Sequence, residues 1–187
     1  MTATWTVALV GGAILAWGAL TFNGFVRLRN RMREAFSGID VQLRRRHDLV
    51  PNLVRVVRSY AGHERRTFEE VAQARGAAAG AAAVRDREQS ENGLSRSLDR
   101  LIALVEAYPD LRADENFREL HHDLVEIEEH IQYARRYYNG AVRDYNNRIQ
   151  QFPANLLAPV FRMRAGEFFE IASAAEREAP AVVMEQA

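Results

Sequence analysis

The sequence contains no cysteine and no lysine, and no charged side chain occurs between Met1 and Val26. Without cysteine there is neither a disulfide framework nor a Cys-based zinc site, and the redox compartment stays undecided. Without lysine all 25 basic residues are arginine. Codon usage accounts for this more readily than function, although guanidinium does pair with carboxylates and phosphates in a planar, bidentate way that ammonium cannot. Gly-rich phosphate loops, nucleophile motifs and metalloprotease patterns are also missing. A nucleic-acid reader would need stacking aromatics beside its arginines, whereas the aromatics here follow apolar stripes. Catalysis and nucleic-acid binding are therefore not expected, and no cofactor is.

What is present begins with the uncharged amino terminus. The run TWTVALVGGAILAWGALTF is long enough to cross a bilayer as a helix. A cleaved signal peptide would carry its basic residues before a shorter apolar region, but Arg27, Arg29, Arg31 and Arg33 come after it. The pattern predicts an uncleaved single-pass anchor over residues 1–26, in a cell membrane, with the amino terminus outside and the remainder cytoplasmic. The four arginines are then expected to contact anionic lipid head groups. Ala8, Gly12 and Ala16 recur every four residues and offer a small-residue ridge for transmembrane packing in a homo-oligomer. The formal net charge of zero conceals an asymmetry: residues 1–66 hold 11 Arg against 4 acids, and residues 67–187 hold 14 against 21. Such a dipole favours an anionic surface near the front half, or pairing of the two halves.

Beyond the anchor the apolar residues keep a helical period. Phe25, Leu28, Met32, Phe36, Ile39 and Leu43 lead to a break at Arg46 and then Val50; a second run carries Leu53, Val57, Tyr60, Glu64, Phe68 and Val71. Because a residue before proline avoids helical angles, a turn is expected near residues 48–51, with Pro51 opening the second helix. Residues 76–93, rich in Ala and Gly with few large apolar side chains, read as a frayed helix end or linker. A third helix is expected over 94–108, stopped by Pro109. Asp114 is placed to cap a long fourth helix whose stripe runs from Phe117 to Phe152. The expected architecture is all-α, an antiparallel four-helix bundle over residues 27–152 behind the transmembrane helix, with a tail, 153–187, packed to about residue 171.

The stretches EAFSGIDVQLRRRHDLVPNLVRVV, AGHERRTFEEVAQAR, ALVEAYPDLRADENF and ARRYYNGAVRDYNNRIQQFP followed by FFE, in this order, resemble the LemA family. The resemblance covers about Asn23 to Glu170. It implies a helical bundle on an amino-terminal membrane anchor, mostly in bacteria, without an established catalytic activity. The chain departs from the family pattern at Phe36, where Trp is common, in using Arg for Lys, and in APVFRMRAGEFFE, which lacks a Gly-Phe turn.

A carboxylate-bridged di-metal site would need two Glu-x-x-His pairs facing a bundle interior. One pair exists, Glu119 and His122, and at 100° per residue both point away from the apolar stripe. The triplet Arg44, Arg45, Arg46 divides by face in the same way. Arg46 falls about 40° from the seam and His47 about 60°, whereas Arg44 and Arg45 point outward, available to a partner. Glu64 lies about 20° from its own seam. Arg46, His47 and Glu64 are therefore expected to be buried polar structural groups, each needing a partner. With a turn at Pro51, Arg46 and Glu64 are offset by about 12 Å and cannot pair; their expected partners lie on the fourth helix, which carries Glu126, Glu128, Glu129, Arg135, Arg136 and Asn139. The whole reads as a non-catalytic scaffold or adaptor anchored in anionic membrane, self-associating or binding other membrane proteins, with a ligand-sensing adaptor as the alternative and a carboxylate-metal enzyme as a remote one.

Overall fold

The computed structural model describes residues 2–81 and 83–169, and every regular element among them is helical. In chain order these are α1 (Thr2–Tyr60), α2 (Arg65–Gly80), α3 (Val84–Val105), a short α4 (Pro109–Ala113) and α5 (Glu115–Gln150). A 3-10 turn at Ala154–Leu156 follows, and the chain returns along α5 to Phe169. At 1.5 Å per residue the 59 residues of α1 span about 88 Å, and the 36 of α5 about 54 Å. The first part of α1 is long and apolar enough to cross a membrane and is almost entirely uncovered.

The expected turn near Pro51 is absent: α1 runs through the proline to Tyr60, and the reversal occurs at residues 61–64. Proline inside a helix removes the N–H that would bond the carbonyl four residues earlier. That carbonyl belongs to His47, and it accepts instead from Arg75 Nε of α2 at 2.7 Å. A donor 28 residues downstream replaces the missing local one. Packing favours the same outcome, because the buried positions Ile39, Leu43, Arg46, Val50, Leu53 and Val57 keep one phase across Pro51. A bend there would have turned half of them away from the core.

Helices α1 and α5 run antiparallel and make the most extensive contact, and α2 and α3 form a second antiparallel pair. Apolar side chains gather in three clusters along the rod. The distal one, farthest from the apolar amino-terminal segment, joins Val50, Leu53 and Val57 of α1 to Phe68 and Val71, Leu94, Leu98 and Leu101, and Leu124. A middle one holds Ile39, Leu43, Ile131, Tyr138 and Val142 with Phe169. A proximal one sets Phe25 against Tyr145, Ile149, Ala154 and Ala158. The segment 76–93 is not a linker. Helix α2 extends to Gly80 and α3 already starts at Val84, with Ala78 and Glu91 buried. Arg87 ties their connection to α1 by an ion pair with Asp40 and by donating to the Ala81 carbonyl from Nε at 3.2 Å. Asp114 caps α5 as its sequence position predicts, accepting from the Phe117 amide at 2.9 Å, and its other oxygen accepts from the Tyr60 hydroxyl at 3.0 Å. Phe152, placed on the fourth-helix stripe, is instead exposed beyond the end of α5.

The returning strap has no secondary structure to satisfy its backbone, and two asparagines of α5 do so. Asn146 donates to Gly166 O at 3.1 Å and accepts from Gly166 N at 2.8 Å; Asn139 treats Phe169 identically at 2.9 and 2.8 Å. A Cβ at Gly166 would lie 2.6 Å from Met32 Sδ, so the flexible Met32 side chain would have to shift to admit one. The far end of the expected packed tail, residues 170 and 171, lies outside the described residues.

The Pro51–Arg75 compensation is testable by a double-mutant cycle. Arg75→Leu leaves the His47 carbonyl without its donor and should cost about 1 kcal/mol or more in urea unfolding. In a Pro51→Ala background, where the helix can bond that carbonyl itself, the same change should cost less by about 1 kcal/mol. Equal costs in both backgrounds would contradict the assignment.

Candidate functional site

Between the middle and distal apolar clusters lies a group of charged side chains contributed by three helices. Arg46 is fully buried at its centre. Its Nη2 binds Glu91 Oε2 of α3, its Nη1 binds Glu128 Oε1 of α5, and Nη1 also donates to Ser95 Oγ at 2.9 Å. Glu91 is equally buried, whereas Glu128 keeps about a third of its side chain in solvent. His47 Nε2 approaches the second Glu91 oxygen to 2.9 Å, an ion-pair distance without hydrogen-bond alignment. Arg135 of α5 lies buried alongside, its guanidinium stacked 4.9 Å over the Phe169 ring and its Nε without a partner.

Burial presses the Arg46 guanidinium toward neutrality, but the carboxylates of Glu128 and Glu91 outweigh that, and its pKa ends above the ordinary arginine value. Burial likewise opposes ionisation of Glu91, yet contact with His47 and the charge of Arg46 win and lower its pKa. Arg135 is lowered, first by burial and then by repulsion from Arg46. The cluster is thus a desolvated ion group in which two acids hold one arginine charged. Beside it, an open groove of about 920 Å³ between α3 and α5 is lined by Ser95, Arg96, Glu128, Gln132 and Arg135 among others.

The structure distributes the remaining sequence candidates as follows. Arg44 and Arg45 are exposed, and Arg45 borders a shallow cleft with Asp48 and Asp123. Glu64 is only partly buried: it precedes the first turn of α2 and makes no side-chain capping bond, because the chain reverses at 61–64 and removes it from the seam that a helix from Pro51 would have given it. Arg27, Arg29 and Arg33 are exposed; Arg31, also exposed, faces α5, 3.7 Å from Asp144 and 5.7 Å from the Tyr137 ring centroid. Ala8, Gly12 and Ala16 lie on the open face of α1, with nothing within 4 Å of a Cβ built on Gly12. Glu119 and His122 are exposed, and among the described residues no three His, Asp or Glu are grouped to hold a metal. Arg135 and Glu128, both among the fourth-helix groups expected near the buried charges, lie at the cluster, whereas Glu91 and Ser95 carry no sequence expectation, because they sit in or next to the Ala/Gly-rich segment that reads as a linker. The sequence signal for Glu91 is its spacing, three residues before Leu94 and seven before Leu98, which puts an acid on their apolar face.

The LemA family model matches residues 35–183, which contain the cluster, the Pro51 crossing and the strap. The chain belongs to the LemA family. Similar proteins include Magnetosome protein MamQ 2 and Magnetosome protein MamQ 1 of Paramagnetospirillum magneticum, each 27% identical over 184 residues, 84% of this chain and 68% of the relative. Magnetosome protein MamQ of Magnetospirillum gryphiswaldense is 24% identical over 176 residues, 80% of this chain and 65% of its own length. For this LemA chain the family match extends across every element that supplies a cluster residue: Arg46 and His47 from α1, Glu91 and Ser95 from α3, Glu128 and Arg135 from α5.

Removing one member of a buried ion group strands the others. Arg46→Ala should destabilise the protein by about 3 to 5 kcal/mol, while Arg44→Ala and Arg45→Ala stay within about 0.5 kcal/mol. Thermal or urea unfolding separates the two cases, and equal effects at all three positions would refute the division. The Glu91 pKa is lowered on folding, so its contribution is complete above the unfolded value of about 4.3 and disappears as pH falls through the lower folded value. Below about pH 4 the wild type should therefore lose stability more steeply than Glu91→Gln. Parallel pH curves would show that Glu91 is not held ionised.

Proposed function

We propose that this protein is a non-catalytic scaffold or adaptor anchored in the cell membrane, whose α1, α2, α3 and α5 segments act as a four-helix bundle held at fixed height over the bilayer. One observation carries the reading: the apolar membrane-competent segment and the first helix of the folded body are a single helix, α1, with no loop between them. From Val26 to Tyr60 that helix rises about 51 Å. A catalytic domain tolerates a flexible tether, but a spacer needs a stiff one. The relatives' names place them at magnetosomes, which is compatible with a role in organising a specialised cellular structure and implies no reaction.

Membership of the family favours a binding role over chemistry. The exposed Arg27, Arg29 and Arg33 suit anionic head groups, and the uncovered Ala8, Gly12, Ala16 face suits a second copy of the span. Arg44 and Arg45 belong to a surface for other membrane proteins. The ligand-sensing alternative rests on one observation, the buried Arg135 at the edge of the α3–α5 groove with an unpartnered Nε; an acidic ligand reaching it would alter the charge balance of the Arg46 cluster.

The scaffold reading predicts that the full chain floats with membranes after carbonate extraction. It also predicts that protease reaches residues 27–169 only from the cytoplasmic face, and that crosslinking in membranes captures a second copy or another membrane protein. A processed amino terminus near residue 20, or a bundle digested from outside, would overturn the topology.

A further inference from the structure

The segment Ile149 to Phe161, IQQFPANLLAPVF, contains no charged residue, and it has arginine on both sides at Arg148, Arg162 and Arg164. Its small residues Ala154 and Ala158 are buried against Phe25 and Leu157 packs beside them, while three of its large residues point outward: Phe152 is 79% exposed, Leu156 62% and Val160 70%. This inverts the usual arrangement for a loop in water. Single exposed apolar residues are ordinary, but a contiguous patch signals a partner.

The position of the patch on α1 identifies that partner. Phe161 packs on Phe22, ring centroids 4.7 Å apart, and Phe22 belongs to the uncharged run. Arg27, the first charge, lies five residues further on, about 7.5 Å higher along the helix. The loop therefore reaches below the level at which α1 acquires charge. The backbone suits such a place, since the loop closes its own hydrogen bonds: Leu157 N to Ala154 O at 3.0 Å, Phe161 N to Leu157 O at 3.1 Å and Met163 N to Ala158 O at 2.9 Å. Few amides are left to carry into a medium without water. Interfacial elements sink roughly 5–10 Å into the head-group and acyl boundary, and a basic rim strengthens them on anionic lipid; both conditions are met.

We propose that residues 151–161 form a second membrane contact, a loop that dips into the cytoplasmic-side interface of the bilayer beside the span, with Phe152, Leu156 and Val160 in the acyl region and Arg27, Arg29, Arg162 and Arg164 at the head groups. The inference rests on the anchored reading of α1. It makes the base of the bundle bipartite, so that the rod is braced against tilting as well as tethered.

The absence of cysteine permits a direct test. Full-length protein carrying a single Leu15→Cys, Leu156→Cys or Arg112→Cys, labelled with an environment-sensitive fluorophore, is reconstituted in nanodiscs of phosphatidylcholine and phosphatidylglycerol with spin-labelled lipids. Leu15 reports the span and Arg112 the distal end. The label at 156 should be blue-shifted and quenched several-fold more than that at 112 by a spin label near the head group, and the label at 15 by one deep in the chain. If 15 is quenched while 156 behaves like 112, the loop does not dip although the anchor stands. If neither 15 nor 156 is quenched, the anchored reading fails and takes the loop with it. A label at 156 shielded from lipid quencher and aqueous iodide alike would mean that a second copy covers the patch, which also overturns the proposal.

Discussion

The architecture depends on what happens to one backbone carbonyl, that of His47. Pro51 cannot donate to it, and a helix that leaves such a group unpaired either bends or ends. Arg75 reaches across from α2 and takes it at 2.7 Å. With that group satisfied, α1 continues to Tyr60, and a single helix links the membrane-competent segment to the distal core. The neighbouring side chains complete the junction. Arg46 binds Glu91 and Glu128, and His47 approaches Glu91, so one turn of α1 is joined to α2 through its backbone and to α3 and α5 through its side chains.

Apolar packing alone would not fix the axial register of these helices. Stripes of Leu, Ile and Val on long helices tolerate slippage by a heptad, whereas a buried guanidinium with two carboxylate partners has one place to sit. The ion group contributes specificity here more than net stability, since the desolvation of Arg46 and Glu91 offsets much of their attraction. A design that replaced Arg46 and Glu91 together by apolar residues of similar volume should stay folded, in contrast to the loss of either alone. The strap provides a second register device at the proximal end. Asn139 and Asn146 are seven residues apart on α5 and each engages both backbone groups of one strap residue, so the strap can lie along the helix in one alignment only.

Much of this was legible in the sequence, for identifiable reasons. The uncharged run, the Asp114 cap and the stripe from Phe117 to Ile149 follow from composition and 3.6-residue spacing, which act locally. The inward face of Arg46 followed from the same wheel. The Pro51 crossing did not, because proline's local preference was overruled by a donor supplied from another helix, although the phase of Leu43, Val50, Leu53 and Val57 already ran through it unbroken. Segment 76–93 was misread because Ala and Gly carry little apolar surface; its contribution is a close-packed backbone and one buried acid, Glu91. Glu64 was misassigned as a consequence of the displaced turn. The strap leaves no periodic signature, since the asparagines recognise backbone and not side chains.

Continuity of α1 through Pro51 is the claim on which the rest stands, and a distance measurement tests it. With spin labels on Arg33→Cys and Ser59→Cys in the membrane-reconstituted full chain, an unbroken helix separates the two backbones by about 39 Å at 1.5 Å per residue. Electron–electron double resonance should return one narrow distribution near that value. A helix reversing at residue 50 would leave an axial offset of only about 12 Å, and a distribution below 25 Å, or one spread broadly between the two, would contradict the account.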